Sequence, residues 1–175
     1  TKIIRKLMMT EGFYGLLLVG MHKYFSKTLP TACVSKPPGS INIELIIGEQ
    51  FWSNLENDNQ KGTVLKHEVL HVALMHFGLL DLMPNDEIRG IAVDIVVNGI
   101  LKKNGNEFWK ANKKKGLPQP MLNELFSELK MKDDQGSTYY YQELMKAKRA
   151  KDESKGKGED SKAGEKGNGK GTSGS

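Results

Sequence analysis

Apolar residues recur at helical spacing at the start of the chain, where Ile3, Ile4, Leu7 and Met8 predict a short helix over Lys2–Met9 that Glu11-Gly12 interrupts. Phe13 to Met21 is a nearly continuous apolar run rich in strand formers, read as a strand with helix as the alternative. Thr31–Ser35 predicts a second strand, Pro37-Pro38-Gly39 a turn, and the alternation of Ile41–Ile47 (INIELII) a third strand. These three predict one small sheet, antiparallel or mixed. The remainder reads as helix over Glu49–Asn57, Gly62–Phe77, Asp86–Lys103 and Thr138–Ala150, with Thr63 as a cap and Asn85, ahead of Asp86-Glu87, as a start signal. Breaks at Asn104-Gly105 and Leu117-Pro118-Gln119-Pro120 leave only Met121–Lys130 helical between Lys102 and Gly136. The predicted class is α+β.

From Lys151 to Ser175 the hydrophobic class is represented only by Ala163, so this segment cannot bury a core and is expected to be a flexible tail or linker. One folded domain over residues 1 to 150 follows. The longest apolar run, Gly15–Met21, falls far short of the roughly 20 residues a membrane-spanning helix needs, and the N-terminus lacks a signal-peptide layout. The expectation is a cytoplasmic protein with no membrane partner. Lys+Arg 26 against Asp+Glu 21, a net charge of +5, is what solubility alone would ask for. With Cys33 the single cysteine, no thiolate cluster can hold a metal, so any metal must sit on His, Asp or Glu.

Three of the four histidines, His67, His71 and His76, fall within ten residues. The segment HEVLH matches H-E-x-x-H on an otherwise apolar helix. Four positions on a helix of 3.6 residues per turn place His67 and His71 about 40° apart and one turn along, within reach of one ion. Glu68 stands beside that ion, where a carboxylate can take a proton from a metal-bound water. Two histidines and a glutamate are costly to place on an apolar helix without such a role.

Such a site needs a third protein ligand. On an unbroken helix His76 projects about 180° from His67, toward the core, and it could ligate only if the helix ended near Met75 and the chain turned back. Asp94, the one acidic residue in the apolar stretch IAVDIVVNGI, is the stronger candidate, because a lone buried carboxylate needs a positive partner. Asn98, four residues on, shares its face and could hydrogen-bond a ligand histidine from behind. Glu87, seven residues before Asp94, is a third, weaker candidate. Alternatively, Asp94 and Asn98 serve a buried polar network with no metal.

The stretch Lys102–Lys115 (KKNGNEFWKANKKK) carries six lysines, one glutamate and Phe108-Trp109. It could grip nucleic acid through phosphate neutralisation and base stacking, or it could be a solvated loop anchored by its aromatics. His22 and Cys33 read as structural. No Gly-rich phosphate loop or dinucleotide fingerprint occurs.

HEVLHVALMH, then IAVDIVVNGIL, Gly116-Leu117-Pro118, Gly136-Ser137-Thr138 and Tyr139–Leu144 together resemble the metallopeptidase domain that bacterial and phage proteins carry ahead of a von Willebrand A-like domain. The resemblance spans most of residues 1–150. It implies a zincin-like fold, with a small sheet beside two metal-bearing helices, and a zinc-binding hydrolase. It also implies that a histidine at the position of His76 recurs, and that an ATPase partner accompanies such proteins. Two features depart from it: Phe77-Gly78 follows His76 where a proline and a nearby arginine are usual, and no von Willebrand A-like domain follows. The chain is then either a piece of a longer protein, with residues 151–175 as its linker, or a shorter relative. Three readings emerge: a zinc peptidase with zinc on His67, His71 and Asp94 and Glu68 as general base; a zinc-dependent nucleic-acid hydrolase; and a non-catalytic, metal-stabilised binding module. In zincin proteases an edge strand pairs with extended peptide, a role open here to Ile41–Ile47 unless it is an ordinary core strand.

Overall fold

The computed structural model describes residues 2–105 and 127–159, the side chains of 127 and 155–159 excepted. Two short helices, α1 (Lys2–Thr10) and α2 (Gly12–Gly20), lead into β1 (His22–Ser26), β2 (Ala32–Ser35) and β3 (Glu44–Gly48); then come α3 (Glu49–Asn54), α4 (Asp58–Ala73), α5 (Asp86–Lys103) and α6 (Ser137–Glu159). The class is α+β, with six helices and a three-stranded mixed sheet among the described residues. None of these helices is long and apolar enough to cross a membrane.

The run Phe13–Met21, expected as a strand, is instead the helix α2. Its burial has helical period: Tyr14, Gly15 and Leu18 face inward while Phe13, Leu16 and Val19 face out. A continuous apolar run has no period of its own, and tertiary packing decides its form. Here the deciding contact is Gly15, where a Cβ would fall 2.5 Å from the Met8 Cα, so only glycine lets α1 and α2 pack this closely.

The first strand therefore comes later, at His22–Ser26. It pairs parallel with β3, from His22 opposite Glu44 to Ser26 opposite Gly48, and β2 pairs antiparallel with the other side of β3. The order β1-β3-β2 places β3 at the centre, with both of its edges used. Ile41–Ile47 thus offers no free edge to a peptide, and its role as a substrate rail is overturned. Among the described residues, the edge nearer α4 that pairs with no strand belongs to β2, which packs against that helix.

The main core joins Ile3 and Leu7 of α1 and Leu18 of α2 to Leu45 and Ile47 of β3, Val69 of α4, and Val97 and Leu101 of α5. Fully burying each such aliphatic side chain contributes about 1.5–3 kcal/mol. A second cluster packs Ile88, Ala92 and Ile95 of α5 against Tyr140, Tyr141 and Leu144 of α6. α5 is thus covered on two sides, which is why its sequence shows no single apolar stripe.

α4 begins four residues before the expected start. Asn57, not Thr63, is its cap, accepting from the Gln60 N–H at 2.9 Å, while the Thr63 hydroxyl bonds back to the Asn59 carbonyl inside the helix. α5 starts where Asn85 predicted, the side chain accepting from the Ile88 N–H at 3.0 Å. α6 continues past Ala150 to Glu159. Most of Lys102–Lys115, all of Gly116-Leu117-Pro118 and most of Met121–Lys130 lie outside the described residues, as do residues 160–175; Ser127–Leu129 forms a 3-10 turn.

Candidate metal centre

His67 and His71 project from successive turns of α4 toward Asp94 on α5, which packs alongside. His67 Nε2 lies 3.0 Å from His71 Nε2, and Asp94 Oδ1 lies 3.1 Å from His71 Nε2 and 3.5 Å from His67 Nε2. A tetrahedral zinc ion with ligand bonds of about 2.0–2.1 Å has ligand–ligand edges of about 3.3 Å, so this triangle has the right size. Three lone-pair atoms in mutual contact also repel unless a cation is shared among them. His67, His71 and Asp94 can therefore hold a metal ion.

Each histidine is held from behind. Asn98, buried on α5, has its Oδ1 3.0 Å from His67 Nδ1 and accepts that N–H, which leaves the Nε2 lone pair facing the cluster. His71 Nδ1 lies 2.9 Å from His76 Nδ1. With the His71 Nε2 lone pair likewise in the cluster, its Nδ1–H donates to a neutral His76. Burial above all pushes His76 down to about 4, which keeps it neutral.

His76 reaches this place because α4 does not run to Phe77. The helix ends at Ala73, Met75 takes a left-handed φ of 54°, and His76–Leu79 forms a 3-10 turn. The chain has turned back, and the core-facing orientation expected for His76 is overturned: it lies half-buried against His71. It is not one of the three grouped donors, and neither is Glu87, exposed in the first turn of α5. His22 is exposed on β1.

Burial lowers the pKa of His67, but the Asp94 and Glu68 carboxylates and the Asn98 hydrogen bond outweigh it and the net shift is upward. For Asp94 burial pulls upward, yet its hydrogen bonds and charge interactions with His67 and His71 hold it well below the usual carboxylate range. Glu68 is the opposite case. Burial raises it above an ordinary glutamate, against the pull of the two histidines and a hydrogen bond to the Val34 backbone. A carboxyl pushed upward is a better proton acceptor, as a general base requires.

These groups open onto a cleft of about 520 Å³ bounded by Thr31, by Ala32, Cys33 and Val34 of β2, and by Phe77 and Leu80. Cys33 lines it as well, its thiol raised by burial and by the Glu68 charge, so it is no activated nucleophile. Arg89 and Lys36 also line it and were not marked by the sequence; the Arg89 guanidinium donates to the Met83 carbonyl and pairs with Asp86, both at 2.7 Å. At five residues from Asp94, Arg89 shares no helical face with it, so no spacing signal marked it.

No curated protein and no solved structure matches the chain. A family profile does match, over residues 1–175, and a metal ion is what that family's chemistry implies for the His67, His71 and Asp94 cluster. The chain belongs to the family described as putative metallopeptidase domain.

Proposed function

We propose that this chain is a zinc-dependent peptidase of zincin-like architecture, in which His67, His71 and Asp94 hold zinc and Glu68 is the general base. The observation that carries the reading is the triangle of His67 Nε2, His71 Nε2 and Asp94 Oδ1 with edges of 3.0 to 3.5 Å, beside a buried glutamate in the same cleft. Two imidazoles and one carboxylate suit zinc among the common divalent ions. Bound zinc supplies a Lewis acid for the scissile carbonyl and a water of lowered pKa.

The chain's own groups do the rest. Glu68 accepts the proton of the attacking water on a carboxylate oxygen and returns it to the leaving amine nitrogen. Asn98 and His76 hold the ligand tautomers through both steps. The edge of β2 that no strand pairs among the described residues lines the cleft and binds extended substrate backbone by strand addition around Val34, whose backbone Glu68 already engages, with little side-chain selectivity.

The test is turnover of a quenched-fluorescent peptide library by the zinc-loaded protein and by Glu68→Gln. Loss of a proton acceptor should lower the rate roughly 10²–10⁴-fold. Equal rates would remove Glu68 from the mechanism.

A further inference from the structure

We propose that the α1–α2 hairpin is a docking face for an anionic lipid surface. Its outer side exposes Met8, Met9, Phe13, Leu16 and Val19, each between 43 and 88% accessible. Scattered exposed apolar residues need no explanation, but here five lie on two helices joined through the Met8–Gly15 contact.

Cations accompany this face. Lys2, Arg5 and Lys6 share one side of α1 with Met9, around a shallow surface depression. Their ties to the protein are weak: Lys2 reaches Asp58 at 3.5 Å while almost wholly exposed, and Lys6 reaches Asn59 at 3.5 Å. The single acidic residue in positions 1–21, Glu11, is neutralised by Lys66 at 2.9 Å. The hairpin therefore presents apolar side chains beside positive charge with no free carboxylate, the complement of an anionic headgroup layer over acyl chains.

Geometry excludes a spanning role. α2 has nine residues, a length of about 13 Å against the roughly 30 Å of a bilayer core. Both helices also bury their inner sides in the main core. The expectation of no membrane partner rested on the lack of a spanning helix, and an interfacial face is independent of that. The proposal does not depend on the peptidase reading.

The 175-residue chain is sedimented with phosphatidylcholine vesicles, with and without phosphatidylserine, over a range of salt. Binding is expected only with phosphatidylserine, weakening as salt rises. Leu16→Ser/Val19→Ser, which keeps every charge, should weaken it roughly tenfold or more, since each buried methylene matters. Arg5→Gln/Lys6→Gln should weaken it roughly fivefold per charge. Lys113→Gln/Lys114→Gln/Lys115→Gln should leave it within a factor of about two, as residues off the hairpin contribute only to the diffuse field. No binding, binding lost only with the Lys113–Lys115 changes, or binding indifferent to Leu16 and Val19 would overturn the proposal. So would a dimer in vesicle-free solution that Leu16→Ser/Val19→Ser dissolves, which would assign the face to a second copy of the chain. Melting temperatures of the exposed-site variants verify that each is folded.

Discussion

His76 Nδ1 sits 2.9 Å from His71 Nδ1, so a histidine outside the His67, His71 and Asp94 triangle orients one member of it. The contact depends on the left-handed Met75 that ends α4 and turns the chain back. A partner that fixes a ligand's tautomer is distinguishable from a ligand by what its loss does.

His76→Ala and Asn98→Ala should each weaken metal affinity about 10–100-fold, while saturating zinc still fills the site at one ion per chain. Asp94→Ala should lose stoichiometric zinc. Competition with a chromophoric chelator measures both. Unchanged affinity in His76→Ala would show that the His71 contact does not orient the ligand, and loss of stoichiometric binding there with retention in Asp94→Ala would make His76 the third ligand.

In metal-free protein the His67–Asp94 contact should stabilise the fold over a defined pH range. Asp94 has its folded pKa depressed below the ordinary 3.8, so its contribution is present above that value and is lost as pH falls toward the folded one. His67 has its folded pKa raised above 6.5, so its contribution is present below 6.5 and is lost as pH rises through the folded value. The excess melting temperature of wild type over Asp94→Asn should therefore be largest between these two ordinary values and shrink in acid. A difference independent of pH would deny the pairing.

Glu68 should carry the opposite signature. Its folded pKa is raised, so above the ordinary 4.5 the unfolded chain releases this proton first and stability falls as pH rises. Metal-free Glu68→Gln should melt at or above wild type near neutral pH and lack that fall. A Glu68→Gln variant that melts well below wild type there would contradict a buried, strained carboxyl.

Gly15→Ala should destabilise by about 1–3 kcal/mol, because the new methyl meets the Met8 backbone and not a side-chain tip that can swing away. Gly90→Ala, within α5 and with nothing within 4 Å of the added Cβ, should instead stabilise by up to about 1 kcal/mol. Urea denaturation of both compares them directly. Equal effects would mean that the α1–α2 approach is not tight at Gly15.

What was legible in the sequence was whatever the helical repeat alone determines. His67 and His71 at a spacing of four, and Asp94 and Asn98 at the same spacing on the next helix, placed donors and a supporting amide on two faces that do meet. Less legible was whatever depends on chain reversal or packing. No glycine marks the end of α4: Met75 adopts the left-handed conformation that L side chains rarely take, and Gly78 comes three residues later. Phe13–Met21 lacked a period, and its helical form goes with its packing against both α1 and α4. The INIELII alternation announced a strand but carried no information on whether it lies at the centre or at the edge, or on which neighbour runs parallel.

The central claim is that His67, His71 and Asp94 form a zinc site served by Glu68. Its most direct test is metal content per chain by plasma mass spectrometry on protein purified without added metal, for wild type, Glu68→Gln and His67→Ala/His71→Ala. The account predicts about one zinc per chain in the first two and none in the third. No zinc in wild type even after zinc is supplied, or equal zinc in the double variant, would contradict it.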